Sequence, residues 1–331
     1  VAAIDAFEVP IMLAFHYESV DGNQGAAHYR HEAGEMFLDV YEYPPAIEQF
    51  RKSLSLLDRI NAAPNSPERL KVLASLLVAY RESGRLQAAQ RIVEQLPPVD
   101  DIPEEVLAEI LHEVGLIGIE SGSIEESEAR LTRLVEMSRE RGDAKFEVKG
   151  MLGLAQLYEK QNDLSRAADI LLAVSEKVEG MGQLDLSNPD DRKLYWTAYN
   201  QLGTLFIRQK DFQKAQQFLN TALNRAQQIE DHRGLVRVLS NLGALCLSIR
   251  DVGRARDYFS NAVKAAKGIG DLLNQSRIES NLGIAAMEQN DFEASKKHFK
   301  KARSIAEDIG WYEGLAELSR HIKRLKKAMG H

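Results

Sequence analysis

The sequence predicts an all-α solenoid of about seven stacked helix pairs, with a capping helix at each end. Two observations predict it. The first is a fixed step of forty residues: Gly203, Gly243 and Gly283 keep it, as do Asp211, Asp251 and Asp291, Ala222, Ala262 and Ala302, and Leu202, Leu242 and Leu282. Such self-similarity marks an array whose units bury their apolar faces only by stacking on their neighbours. The second is the pattern inside one period, which reads as helix, short turn, helix, with no proline anywhere beyond Pro189 to interrupt it.

The clearest unit gives the template. Trp196 to Arg208 is helix A, Gln209-Lys210-Asp211 the turn, and Phe212 to Gln228 helix B. With Trp196 as position 1, Gly203 (position 8) and Ala215 (position 20) are small residues where the two helices cross, while Leu219 (position 24) and Ala222 (position 27) are expected to face the next unit. The template places unit starts at Ala27, Leu70, Ala108, Val148, Trp196, Val236 and Ser276. At positions 8, 20 and 24 the first unit offers Gly34, Ala46 and Phe50, and the third Gly115, Ser127 and Leu131. The fourth offers Ala155, Ala167 and Leu171, and the second, with Leu77, Ala89 and Val93, fits least well. The expected organisation is therefore an N-terminal helix in residues 1–26, seven units in 27–310 and a capping helix in 311–331.

Joints between units are legible as well. Pro64 and Pro67 mark the first, and Pro97-Pro98 with Pro103 the second, since proline cannot continue a helix interior. Gly180-Met181-Gly182, running to Ser187-Asn188-Pro189, adds eight residues between the fourth and fifth units. Glu313 to Lys327 reads as the terminal helix, its basic face of Lys323, Arg324, Lys326 and Lys327 shielding the last apolar surface.

The small residues at positions 8, 20 and 27 resemble the tetratricopeptide repeat, and the resemblance covers nearly the whole chain. It implies a right-handed superhelix with helix A lining the concave face, where positions 2, 5, 6, 9, 12 and 13 point inward. The usual repeat is thirty-four residues. Six extra residues lengthen each helix pair by roughly 9 Å in total, at about 1.5 Å per residue, and deepen the groove. Adaptor and peptide-receptor members of that family have this long form.

Composition bounds the function. Hydrophobic residues make up 44% of the 331 and charged residues 27%, which suits water-facing helices around a buried seam. The single cysteine, Cys246, falls at a core position, so no disulfide framework is expected and a reducing, cytoplasmic setting is favoured. No apolar run nears the roughly 20 residues that span a bilayer, and no signal peptide is visible. The chain begins with Val1, as a fragment of a larger protein would. Phosphate loops, His-Glu-x-x-His and Gly-x-Ser-x-Gly are absent, so neither an enzyme nor a cofactor is expected. The run Glu125-Glu126-x-Glu128 opens a helix B, where carboxylates complement the helix dipole.

Charge is uneven. Residues 1–200 carry 35 acidic and 20 basic side chains, a net of −15, and residues 201–331 carry 14 and 22, a net of +8. Solvated outer faces would explain this, as would a groove with an acidic mouth and a basic far end that orients a charged partner. Intramolecular or homo-oligomeric pairing of the two halves is a further expectation. Basic residues are not interleaved with aromatics, so neither nucleic acid nor membrane is an expected partner.

The candidate binding residues lie on helix A of the last three units. Arg237 and Arg277 take position 2, Ser240 and Ser280 position 5, and Asn241 and Asn281 position 6; the unit before adds Asn200, Gln201, Thr204 and Arg208. Arginine presents a planar five-donor fork to carboxylates, and asparagine a donor and an acceptor to an extended backbone. The string Arg-x-x-x-Asn-Leu-Gly, at 237–243 and 277–283, is similar to that of the spindle-orientation adaptor family. That likeness implies capture of an extended, acidic protein segment, and kinesin light chains use related asparagines. The bland alternative is that Asn241 and Asn281 satisfy neighbouring backbone groups. Earlier units depart from the pattern, with Glu32, Ser75, Glu113 and Gly153 at position 6.

Two further features lie near the start of the chain. His28, His31 and Glu35 share one helix face and could ligate a metal, although exposed polar groups are the commoner reading of such spacing. Leu13 to Glu18, Ala27-x-Tyr29-x-x-x-Ala33-Gly34, Ala46-Ile47-x-x-Phe50 and Leu54-x-Leu56-Leu57 resemble the start of the repeat region in bacterial signalling ATPases of the AAA/STAND type. The resemblance implies a regulatory or sensory module of a larger signalling protein, with a small-molecule sensor as the alternative.

Overall fold

The computed structural model describes residues 8–180 and 189–329. Among these there are sixteen α-helices, one 3-10 turn and no strand. The chain divides into two compact units, Val1–Gly142 and Asp143–His331. The expected eight-residue insertion after Gly180 lies outside the described residues.

The first unit holds α1 (Glu8–Ser19), α2 (Asn23–Asp39), α3 (Tyr43–Arg59), α4 (Pro67–Glu82), α5 (Leu86–Val93), a 3-10 turn (Val99–Asp101), α6 (Glu104–Ser121) and α7 (Ile124–Arg141). α2 pairs with α3, α4 with α5, and α6 with α7. The second unit holds α8 (Ala144–Lys160), α9 (Leu164–Gly180), α10 (Pro189–Arg208), α11 (Phe212–Gln228), α12 (His232–Ser248), α13 (Val252–Gly268), α14 (Leu272–Glu288), α15 (Phe292–Asp308) and α16 (Tyr312–Ala328). Consecutive helices pair throughout it, with α16 closing against α15.

In α8, α12 and α14 helix A starts four residues earlier than the sequence register suggests, because an aspartate caps it there. Asp231 Oδ1 accepts from Gly234 N at 2.9 Å, and Asp271 Oδ1 from Asn274 N at 3.0 Å. Helix B is capped in the same way by Asp211, Asp251 and Asp291. Each cap satisfies one of the orphan N–H groups that every helix start leaves. The residue just before each aspartate is left-handed: φ is 62° at Lys210, 52° at Glu230, 62° at Arg250, 69° at Gly270 and 60° at Asn290. One left-handed residue and one aspartate therefore turn the chain every twenty residues, with a 17-residue helix between turns.

The position-8 glycines serve close approach, as expected, but their partner is position 24. A Cβ on Gly203 would stand 2.4 Å from Leu219 Cγ, and one on Gly243 or Gly283 2.5 or 2.6 Å from the ring of Phe259 or Phe299. Leu219 thus fills a notch within its own unit, which corrects the expectation that it faces the next one. Gly34 with Phe50 and Gly115 with Leu131 repeat the arrangement in the first unit. The second pair has Leu77 in the notch, fully buried, and its helix B, α5, is only eight residues long. Pro97-Pro98, four residues beyond its end, prevent it from continuing.

In the forty-residue register α16 is an eighth helix A. Gly314 corresponds to Gly234 and Leu318 to Val238, both lie inside, and the notch residue is Lys323. Cys246 is buried, and burial pushes its thiol pKa up, so it fits its core place and makes a poor nucleophile.

Candidate partner-binding face

Helix A of the second unit buries one side and leaves the other for solvent. In α12 positions 1, 3, 7, 8, 10 and 11 (Val236, Val238, Leu242, Gly243, Leu245 and Cys246) are buried, which leaves position 2 opposite them. Arg237 and the equivalent Arg277 of α14 are both exposed. Each lies over a buried indole: the Arg237 guanidinium is 5.6 Å from the Trp196 ring centroid, and that of Arg277 5.0 Å from Trp311. A cation over a tryptophan face is held by the ring quadrupole, which fixes the plane of the guanidinium.

Trp196 is held in turn. Its Nε1 donates to Asp231 Oδ2 at 2.7 Å, and the same carboxylate caps α12. Gly234 makes room, since a Cβ there would stand 2.6 Å from the indole nitrogen.

Positions 5 and 6 stitch neighbouring units together. Asn241 Nδ2 donates to Asn200 Oδ1 at 2.8 Å, and Asn200 is only 4% exposed. The first unit has the same link between His31 and Ser75, 3.0 Å apart. Gln201, at position 6, has Leu152 at position 5 of the preceding unit, which offers no donor, and its Oε1 is buried without a partner. Asn281 has the shorter Ser240 there, and no such bond is formed between them among the described residues. Ser240, Ser280 and Asn281 are half-buried.

The remaining candidates are engaged locally. Thr204 Oγ1 donates to the Gln201 carbonyl at 2.8 Å. Arg208 donates to the Glu159 carbonyl at 2.8 Å and to Asn162 Oδ1 at 3.1 Å, and so ties α10 to the end of α8. Burial pushes the Glu159 carboxyl pKa up to about 7, against the pull of Arg208.

The structure thus brings Arg237, Asn241, Asn200, Arg277 and Asn281 onto consecutive A helices, and spends Asn200 and one half of the Asn241 amide on scaffolding. Sequence reasoning missed the tryptophans beneath the arginines. Trp311 carried a signal, because it stands where the twenty-residue series of aspartates calls for another one.

Glu113 of the first unit is also spoken for. It is 6% exposed and pairs with Arg81 Nε at 2.9 Å and His112 Nδ1 at 2.9 Å. Burial alone would raise its pKa, but Arg81 and His112 hold it down at about 2. His28, His31 and Glu35 are not gathered into a ligand set: His31 Nε2 lies 3.0 Å from Ser75 Oγ and 3.5 Å from Glu35 Oε1, but His28 meets the ring of Tyr29 instead. Among the described residues no cluster of three metal-ligating side chains occurs, and no helix is long and apolar enough to cross a membrane.

A family model for the tetratricopeptide repeat matches residues 196–268, the span that contains the first of these arginines and its tryptophan. Solved structures extend the likeness of fold. The Rap protein complexed with competence and sporulation factor is 11% identical, with a TM-score of 0.66 over 87% of this chain and 76% of that one. The Rap conjugation gene regulator of plasmid pLS20, in complex with the Phr* peptide, is 15% identical, with a TM-score of 0.65 over 89% and 77%. A STAND signal transduction ATPase with a tetratricopeptide repeat sensor, from Pyrococcus horikoshii, is 15% identical, with a TM-score of 0.52 over 98% of this chain and 51% of that one. Among curated proteins no sequence matches. A tetratricopeptide array is a scaffold for protein interaction, its stacked units offering an extended surface.

Proposed function

We propose that the helix-A face of α10, α12 and α14 holds an extended, acidic protein segment, and that the array is the regulatory part of a larger signalling protein. The observation that carries this reading is the recurrence, one repeat apart, of an exposed arginine over a buried tryptophan, Arg237 on Trp196 and Arg277 on Trp311. The peptide-bound Rap regulator and the STAND sensor, which share the fold, lend support as analogues.

Trp196 and Trp311 are the protein's two tryptophans, so intrinsic fluorescence reports on both arginines at once. The test is to titrate the wild type and the Arg237→Ala/Arg277→Ala variant with acidic peptides, and with whatever protein the wild type alone retains from its own cell lysate. A charge-assisted hydrogen bond contributes about 1.5–3 kcal/mol, so losing both arginines weakens binding at least roughly a hundredfold. Equal affinities would move the binding surface elsewhere. Association of the protein with itself at low salt, without peptide binding, would favour self-association instead.

A further inference from the structure

A second site lies in the first unit, on the outer side of α3. A surface depression of about 360 Å3 is lined by Ile47, Glu48, Arg51, Lys52 and Ser55 of α3 and by Arg85, the residue before α5. Residues 1–142 carry 25 acidic and 13 basic side chains, and most arginines there are drawn into ion pairs. Arg30 meets Glu18, Arg69 meets Asp58, and Arg81 meets both Glu82 and Glu113. Arg130, Arg133 and Arg141 meet Glu126, Asp100 and Glu104. Arg51 and Arg85 pair with no carboxylate among the described residues, although both border the same depression.

Tyr80 meets both residues. Its ring lies under the Arg51 guanidinium, 5.8 Å from centroid to Cζ, and its carbonyl accepts the Arg85 backbone N–H at 2.8 Å. The one carboxylate at the rim is already neutralised, since Lys52 Nζ donates to Glu48 Oε1 at 2.5 Å. An isolated solvated arginine needs no explanation. Two that line one depression with a lysine and a hydroxyl, beside Ile47, itself 4% exposed, make that depression a candidate site.

We propose that this depression binds a small molecule carrying a phosphate monoester. Three cations and one carboxylate leave a charge of +2, which matches the roughly −2 of a monoester at neutral pH. Two guanidinium forks suit phosphate oxygens, with Lys52 as a point charge and the Ser55 hydroxyl as a further donor. The assignment stands independently of the groove reading, because it concerns other helices and another ligand.

Calorimetric titration of the whole chain at a fixed ionic strength of about 0.15 M tests it, with inorganic phosphate, phenyl phosphate and succinate as probes. Both phosphates are expected to bind saturably at pH 7.5, more tightly than succinate. Binding weakens by pH 5.5, where the second phosphate ionisation, near 6, has reversed. Arg51→Ala/Arg85→Ala is expected to lose at least tenfold in affinity, and Glu48→Gln, which raises the local charge, to gain about threefold. No saturable heat, equal binding by the double variant, or weaker binding by Glu48→Gln would overturn the proposal. So would succinate binding as tightly as phosphate, which would make this a carboxylate site. Arg51 and Glu48 are exposed and Arg85 is half-buried, and circular dichroism confirms that each variant is folded before titration.

Discussion

Trp196 Nε1 and Asp231 Oδ2 are joined by a buried 2.7 Å hydrogen bond that ties one repeat to the cap of the next. The other carboxylate oxygen closes the first turn of α12. Removing the carboxylate costs a cap, about 0.5–2 kcal/mol, and leaves a buried indole N–H unsatisfied, about 1–3 kcal/mol. Asp231→Ala is therefore expected to lose about 2–4 kcal/mol in a denaturant titration, and tryptophan emission should shift. Asn at the same place keeps the cap and falls between. A loss below about 0.5 kcal/mol would mean that the bond contributes nothing.

Gly243→Leu tests the notch. A Cβ alone would stand 2.5 Å from the Phe259 ring, well inside van der Waals contact. Overpacking of this kind costs about 1–3 kcal/mol, and backbone shifts add to it. The expected readout is a lower thermal midpoint, while the same change at Gly253, which is exposed and has only Asp251 Oδ1 at 3.8 Å, has a much smaller effect.

Glu159 gives stability a pH signature. Its folded pKa of about 7 lies above the unfolded value of about 4.3, so the folded state binds the proton more tightly. Stability therefore rises as pH falls through 7, and the carboxylate works against folding above that point. Glu159→Gln is expected to stabilise the protein at pH 8 by about 1–3 kcal/mol, with the gain vanishing toward pH 4.5. A gain that does not depend on pH would remove the titration account.

Asn200 and Asn241 separate scaffold from ligand. A double-mutant cycle of the two alanine substitutions should show a coupling of about 0.5–1.5 kcal/mol in folding stability. Asn281→Ala, which breaks no such bond, is expected to leave stability within about 0.5 kcal/mol of wild type.

Most of this fold could be read from the chain because glycine at a helix crossing and aspartate at a helix start are local requirements. Phe212–Gln228 was placed to the residue for that reason, with Asp211 before it. The helix-A starts were placed late, since the register was anchored on the tryptophan and not on Asp231 or Asp271. What position 24 touches could not be read at all. Leu219 can face either side of its helix until the depth of the Gly203 notch is known. On the binding face, position 2 is exposed in both units and reads correctly from periodicity. Position 6 does not, because whether Asn241 meets solvent or a neighbour depends on Asn200, 41 residues away. Trp196 and Trp311 occupy different repeat positions, so no periodicity joins them, and only the three-dimensional stacking places each beneath an arginine.

The alternation of one left-handed residue with one aspartate has a bearing on how such a chain can change length. Excising Asp231 to Gly270 would join Glu230 to Asp271, a residue that tolerates positive φ followed by a capping aspartate, so the new junction has the chemistry of both old ones. A cut of twenty residues would keep that junction chemistry but remove one helix of a pair, setting α11 directly before α13, and other lengths would set a helix interior against a turn. The stretch from Asp211 to Asn290 can therefore gain or lose material only in whole forty-residue steps, and each such step adds or removes one arginine from the row that α12 and α14 present.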